Sequence, residues 1–299
     1  MKKFKWSYLY LGIVFLFLYA PIFYLIFYSF NEGGTMNSFT GFTWENYEAV
    51  FEDTRLIIIV LNTFMLAFLS ALIATIIGTF GAMGIYYTKK RRARTALLSM
   101  NNILLVSPDV IIGASFLIFF TLLGFGLGFQ SVLLSHIAFS IPIVVLMVLP
   151  KLQEMNDSMV DAARDLGANN FQVVKNIILP YLSPGIIAGY FMAFTYSLDD
   201  FAVTFFVTGN GFTTLSVEIY SRARQGISLE INALSALVFL FSMILVIGYY
   251  FISKENRPKR LKKNRRVRRG WHGCDEKITI SVFRYSHHYC GAAAWCSST

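Results

Sequence analysis

Asp161-Ala162-Ala163-Arg164-Asp165-Leu166-Gly167 opens a polar stretch that closes with Ile177-Ile178-Leu179-Pro180, nine residues separating Gly167 from Ile177. Long apolar runs lie on both sides, so the stretch is a loop between two membrane spans. A loop that only joined them would need few residues. This one has enough helix-forming sequence for two short helices with a turn at Gly167. Ala162 and Ala163 are small and let a helix backbone approach a partner surface closely. Asp161 is expected in the first helical turn, where negative charge suits the N-terminus. Gly167 can take the positive φ that ends a helix. Pro180 is expected to end the second short helix and re-aim the chain toward the bilayer. A plain amphipathic interfacial helix would need neither the fixed break nor the fixed exit.

Composition agrees with a membrane setting. Of the 299 residues, 56% are hydrophobic and 14% charged, against roughly 25% charged in a soluble domain. The expected fold class is all-α, a polytopic protein with six transmembrane helices at about 8–30, 57–87, 97–123, 131–149, 184–207 and 232–252. A transmembrane domain thus fills residues 1–255, with the loop at 151–183 and a basic tail at 256–299. The first run is too long for a signal-peptide core and has no small-residue cleavage site after it. Thr43 to Phe51 reads as a short interfacial helix with Trp44, Tyr47 and Phe51 on its outward side. Gly78, Gly81 and Gly84, three apart, mark a face where another helix packs closely.

Six spans put both termini on one side. All of the 26 lysines and arginines except Arg55, Arg222 and Arg224 fall on that side. The positive-inside rule therefore places the termini and the 151–183 loop in the cytoplasm. The net charge of +9 is topological, with anionic lipid headgroups as a secondary partner and nucleic acid excluded.

Three carboxylates, Asp109, Asp199 and Asp200, fall inside apolar runs. A charge there costs several kcal/mol unless paired or wetted, and marks a functional site by default. Counted at about 1.5 Å per residue from Arg94 and from Pro184, Asp109 and Asp199 lie at similar depth, slightly past the middle of the bilayer. The spans contain no lysine or arginine, so protons, water or a cationic substrate would have to neutralise the acids. Tyr196, Phe194, Phe201 and Phe205 supply an aromatic wall suited to an ammonium group. Two other readings bear on Asp109: Ser107 capping a helix with Pro108 at its first position, or a place in a substrate pathway. For Asp199 and Asp200 no capping role is visible. Adjacent helix positions point about 100° apart, so one is expected to face the pore and the other a neighbouring helix. His136 reads as a hydrogen-bonded packing residue rather than a ligand, and Glu218 and Glu230 as solvated loop acids rather than docking residues. The sequence has no Gly-rich phosphate loop, nucleophile–base arrangement or metal cluster. No catalytic residue, metal ligand or cofactor is therefore expected in this chain.

The Asp161–Pro180 pattern resembles the cytoplasmic coupling loop of ATP-binding-cassette (ABC) importer permeases, usually Glu-Ala-Ala, then Gly nine residues before Ile-x-Leu-Pro, with Asp161 here in place of Glu. Ser107-Pro108-Asp109-Val110, Ser197-Leu198-Asp199-Asp200 and Phe206-Val207-Thr208-Gly209 narrow the resemblance to bacterial spermidine/putrescine importers, most like their second permease subunit, over roughly residues 5–255. The resemblance implies a type I ABC importer permease fold in the bacterial inner membrane and pairing with a homologous permease as a heterodimer. It also implies two ATPase subunits that bind ATP and Mg, and an extracellular polyamine-binding protein. Asp161, Ala162, Ala163, Gly167, Ile177, Leu179 and Pro180 would then couple to the ATPase, while Asp109, Tyr196, Asp199 and Asp200 line the substrate pathway. A sister importer for another solute and a proton-coupled secondary transporter are the alternatives.

The tail reads differently. Residues 254–269 are densely basic, and Cys274, Cys290 and Cys296 match no zinc spacing and would stay reduced in the cytoplasm. The segment from Lys277 to Ser298 resembles a damaged lipoprotein leader, as a frameshift into a neighbouring gene would produce. It is expected to be disordered and functionally silent.

Overall fold

The computed structural model describes residues 6–34, 36, 38–225 and 229–255. The expectations for the 256–299 tail lie outside the described residues. The chain divides into two units, Met1–Leu240 and Phe241–Thr299. The second is described only as far as Glu255, where it is helical throughout.

Regular structure in the described residues is helical, with one antiparallel bridge between Asn31 and Phe42. The helices are α1 (Trp6–Tyr28), α2 (Glu45–Glu52), α3 (Thr54–Tyr87), α4 (Arg91–Val106), α5 (Asp109–Leu122), α6 (Phe129–Glu154), α7 (Asp157–Asp165), α8 (Asn170–Val173), α9 (Leu179–Asp199), α10 (Ala202–Val207), α11 (Leu215–Gln225) and α12 (Leu229–Glu255). A π turn, Val174–Ile178, joins α8 to α9. Four helices are long and apolar enough to cross a membrane: Leu9–Tyr28, Thr54–Tyr87, Phe129–Glu154 and Asn170–Asp199. The bent pair α4–α5 makes a fifth if it crosses as one, and Leu229–Ile244 is a shorter apolar helix.

Two expected spans are broken. The run 97–123 divides at Ser107-Pro108, where α4 and α5 meet at 106°. Proline forces the residue before it out of helical geometry, and Ser107 is extended, with φ −68° and ψ 138°. Ser107 does not cap α5: its hydroxyl donates back to the Ile103 carbonyl, leaving Asp109 in the first turn. The run 184–207 breaks at Asp200-Phe201, between α9 and α10.

The core is α3, α6 and α9 packed on one another. Leu152, Leu182, Val144 and Val148 are shut off from solvent within it. Close approach of α3 to α6 depends on Gly78, where a Cβ would sit 2.7 Å from Val144 and 3.2 Å from the Ile141 carbonyl. The three-glycine face shrinks to that residue, since Gly81 has only an ordinary 3.8 Å neighbour and Gly84 none within 4 Å. We expect Gly78→Val to destabilise the purified protein by about 2 kcal/mol through overpacking and Gly84→Val to change little. Thermal melting in detergent checks both.

No described side chain of α1 is buried. Trp44, just before α2, and Phe51 within it are exposed, but Tyr47 turns inward. Its hydroxyl lies 2.7 Å from Ser29 Oγ, and its ring packs with Val50 against α3 and α11.

Candidate functional site

The polar elbow forms from local rules. Asn156 caps α7, its side chain accepting from the Ser158 amide at 3.1 Å, and Asp157 supplies the first-turn charge. Asp161 therefore sits a turn further into the helix than its sequence suggested, because the Asn156-Asp157 signal comes first. At the other end the Ala168 amide donates to the Ala163 carbonyl at 3.0 Å, and the Gly167 amide to Arg164 at 2.8 Å. These two bonds make a Schellman motif, which needs the φ of +84° at Gly167. Asn169 and Gln172 then form a reciprocal capping box at 2.8 Å in both directions, starting α8.

Pro180 does not end the second helix. It lies in the first turn of α9, directly after the π turn, whose closing bond runs from the Leu179 amide to the Val174 carbonyl. The wider π turn moves aside the carbonyl four residues back, which a proline ring would strike in a regular helix. The helix thus runs unbroken in direction from Asn170 to Asp199.

Val160, Val173 and Ile178 bury into the α3–α6–α9 core and hold the elbow to it, with Ala163 packed alongside. Asp161, Ala162 and Pro180 are exposed, and Ile177 and Leu179 half-buried. Sequence reasoning missed the apolar surface presented beside them: Leu166 is 90% exposed and Phe171 73%, with Met159 also open. Apolar residues flanking a glycine turn in a polar loop were the available signal, since large exposed hydrophobics close together mark an interaction surface.

At the far end of α9 the three acids part company. Asp199, its last residue, is exposed and has no hydrogen-bond or ion-pair partner among the described residues. Tyr196, three residues back and so on a neighbouring position of the same face, donates from its hydroxyl to Asp109 Oδ1 at 2.8 Å. Asp109 is exposed as well. The Asp200 side chain is only 5% exposed and turns inward. It accepts from the amides of Val203 at 3.3 Å and Thr204 at 2.8 Å and from the Thr204 hydroxyl at 2.8 Å. It therefore caps α10, a role the sequence did not reveal, and satisfies donors that a helix break inside a bilayer would otherwise orphan.

Asp200 also has a basic neighbour: His136 Nε2 of α6 lies 3.5 Å from its Oδ2. His136 is fully buried, with Nδ1 2.7 Å from Ser197 Oγ and Nε2 2.8 Å from Thr204 Oγ1. Ser197 in turn meets Ser70 of α3 at 2.9 Å.

Beyond α3 a second charged cluster forms. Arg222 of α11 pairs with Glu218 at 2.8 Å and with Asp53, the cap of α3, at 3.0 Å, and Arg55 reaches Glu218 at 3.3 Å. The Arg222 hydrogen bond holds the Asp53 carboxyl below its ordinary range. Glu218 is thus a buried strut between α11 and α3 rather than a solvated loop acid. Glu230 stands 3.7 Å from Arg222.

The helices thus combine an apolar exterior, a polar elbow and two exposed acids, Asp109 on α5 and Asp199 on α9. Residues 74–260 match the family described as binding-protein-dependent transport system inner membrane component, and the chain belongs to that family. It is accordingly a multi-pass inner-membrane permease component of a bacterial ABC importer, not an enzyme. The chain is 34% identical over 256 residues to the spermidine/putrescine transport system permease protein PotC of Haemophilus influenzae, covering 86% of this chain and 99% of that one. It is 36% identical over 242 residues to PotC of Escherichia coli strain K12, covering 81% and 91%. Against the putrescine transport system permease protein PotI of the same strain it is 33% identical over 272 residues, covering 89% and 96%. Its fold is shared with a bacterial ABC transporter that imports the polysaccharide alginate, with a TM-score of 0.68 at 17% identity over 85% of this chain and 96% of that one. The MetNI methionine ABC transporter in an inward-facing form aligns with a TM-score of 0.56 at 21% identity over 68% and 96%.

Proposed function

We propose that this chain is a permease subunit of an ATP-driven polyamine importer. The observation that carries the reading is the pair of exposed carboxylates, Asp109, which accepts from Tyr196, and Asp199, three residues beyond Tyr196, neither with a cation partner among the described residues. A flexible polycation offers ammonium groups to such acids and aliphatic stems to the surrounding aromatics. Resemblance to permeases named for spermidine and putrescine supports the same substrate class.

In this reading the chain crosses the membrane six times, the bent α4–α5 pair and α12 each counting once, with termini and elbow in the cytoplasm. A second, homologous permease covers the open face of α5 and α9. Two ATPase subunits grip Leu166, Phe171 and the Asp161–Gly167 turn, and hold the ATP and Mg. An external binding protein delivers the polyamine. ATP-driven closure pushes the elbow, α9 transmits the push, and its far end opens the route past Asp199 and Asp109. Tyr196 holds Asp109 in place between turnovers.

The test is reconstitution of the chain with its partner permease, ATPase and binding protein in vesicles. Spermidine-loaded binding protein should stimulate ATP hydrolysis and radiolabelled uptake, and methionine- or sugar-loaded binding proteins should not. Stimulation by a non-cationic solute alone would sink the polyamine assignment, and uptake without any ATPase would sink the importer class.

A further inference from the structure

We propose that His136 is a positioning residue of the substrate site: it never meets the polyamine, but fixes the helix break that presents Asp199. The inference rests on reading Asp109 and Asp199 as the substrate carboxylates.

Hydrogen-bond direction carries the argument. Thr204 Oγ1 spends its one proton on Asp200 Oδ2, so in its 2.8 Å contact with His136 Nε2 it must accept. Nε2 therefore bears the proton. Nδ1 lies 2.7 Å from Ser197 Oγ. Ser197 Oγ in turn lies 2.9 Å from Ser70 Oγ, whose hydroxyl donates to the Ala67 carbonyl at 3.2 Å. The donors of His136 Nε2 and Thr204 thus point toward one anion, Asp200, and Ser70, Ser197, His136 and Thr204 are all almost completely buried. Bonds aligned head to tail on a charged acceptor strengthen one another.

The geometry explains why this matters for Asp199. Ser197 is in the last turn of α9 and Thr204 in the first turns of α10, and the imidazole spans the gap between them. Asp199 and Asp200 are the residues at which the backbone leaves the helix. The ring contacts both flanks of the break from a third helix, so the break cannot rewind or rotate without dislodging it. Its other face packs on Phe139, 4.8 Å between ring centres, and Phe139 packs edge-on against Tyr196 at 5.1 Å. His136 therefore braces both halves of the site: Asp199 through the break, Asp109 through Phe139 and Tyr196. With three donors already on Asp200, that carboxylate has no need of a substrate cation.

The experiment is a double-mutant cycle in the reconstituted transporter, reading the spermidine concentration for half-maximal uptake. His136→Leu should raise it about tenfold with basal ATPase unchanged. His136→Gln, whose amide reaches the Nε2 position, should recover most of the loss. Combined with Asp109→Asn and Asp199→Asn together, His136→Leu should add less than threefold, because a positioning residue has nothing left to position. If the two effects multiply in full, or the glutamine variant is no better than leucine, the proposal is overturned. Unchanged uptake in Asp199→Asn alone, with His136→Leu still impaired, would instead overturn the substrate-site reading beneath it. Should the leucine variant not assemble, Thr204→Val removes one end of the bridge without changing shape and takes its place in the cycle.

Discussion

Replacing both Asp109 and Asp199 by asparagine is expected to lower spermidine uptake about a hundredfold at limiting substrate, about 2.7 kcal/mol for two lost ammonium partners. The transporter should still assemble. Both side chains are exposed and neither braces a helix, apart from the single Tyr196 bond to Asp109 that asparagine can still accept. Asp200→Asn should behave oppositely. Its carboxylate holds two amides and a hydroxyl at the start of α10, so the substitution should reduce the amount of folded protein more than the apparent affinity. Uptake per assembled transporter, measured across a spermidine titration, separates the two. Wild-type affinity in the double variant would remove both acids from the pathway.

Gly167→Pro is expected to abolish uptake to within a few per cent of background while leaving membrane insertion intact. Proline fixes φ near −65° and has no amide hydrogen. Gly167 needs φ +84° and donates to Arg164 at 2.8 Å. Both ends of the Schellman turn are therefore lost, and Leu166 and Phe171 leave their relative places. Hydrolysis by the ATPase should persist at its basal rate and stop responding to loaded binding protein. Gly167→Asn, which tolerates a left-handed conformation at modest cost, should retain most of the coupling. A proline variant that still answers to loaded binding protein would show that the turn does not carry the force.

What could be read from the chain follows from the range of each interaction. The Gly167 turn was legible because a positive φ is a local demand met by one residue type. Asp161 was placed a turn too early, because the competing Asn156 cap sits outside the motif that drew attention. Pro180 was misread because a π turn leaves no compositional mark. Pro108 announced an interruption, but its 106° angle depends on how α4 and α5 pack. The capping role of Asp200 and its proximity to His136 could not be seen at all. They join residues 64 positions apart, and the histidine, uncharged by default, did not register as a partner for a buried acid. A longer separation, 163 positions, hid Glu218 from Arg55.

The π turn at Val174–Ile178 has one further consequence. It inserts one residue relative to a regular helix, so side chains before it are out of phase by about 100° with those after it. The side that α8 turns inward at Val173 and the side that α9 turns inward at Leu182 therefore cannot be drawn as one stripe on a helical wheel, though both are buried in the same core. In evolutionary terms the junction is a phase shifter. A one-residue deletion there would leave every flanking residue unaltered and yet turn α8 against α9 by about 100°; under the proposed coupling, the length of this stretch would matter to subunit matching as much as its composition.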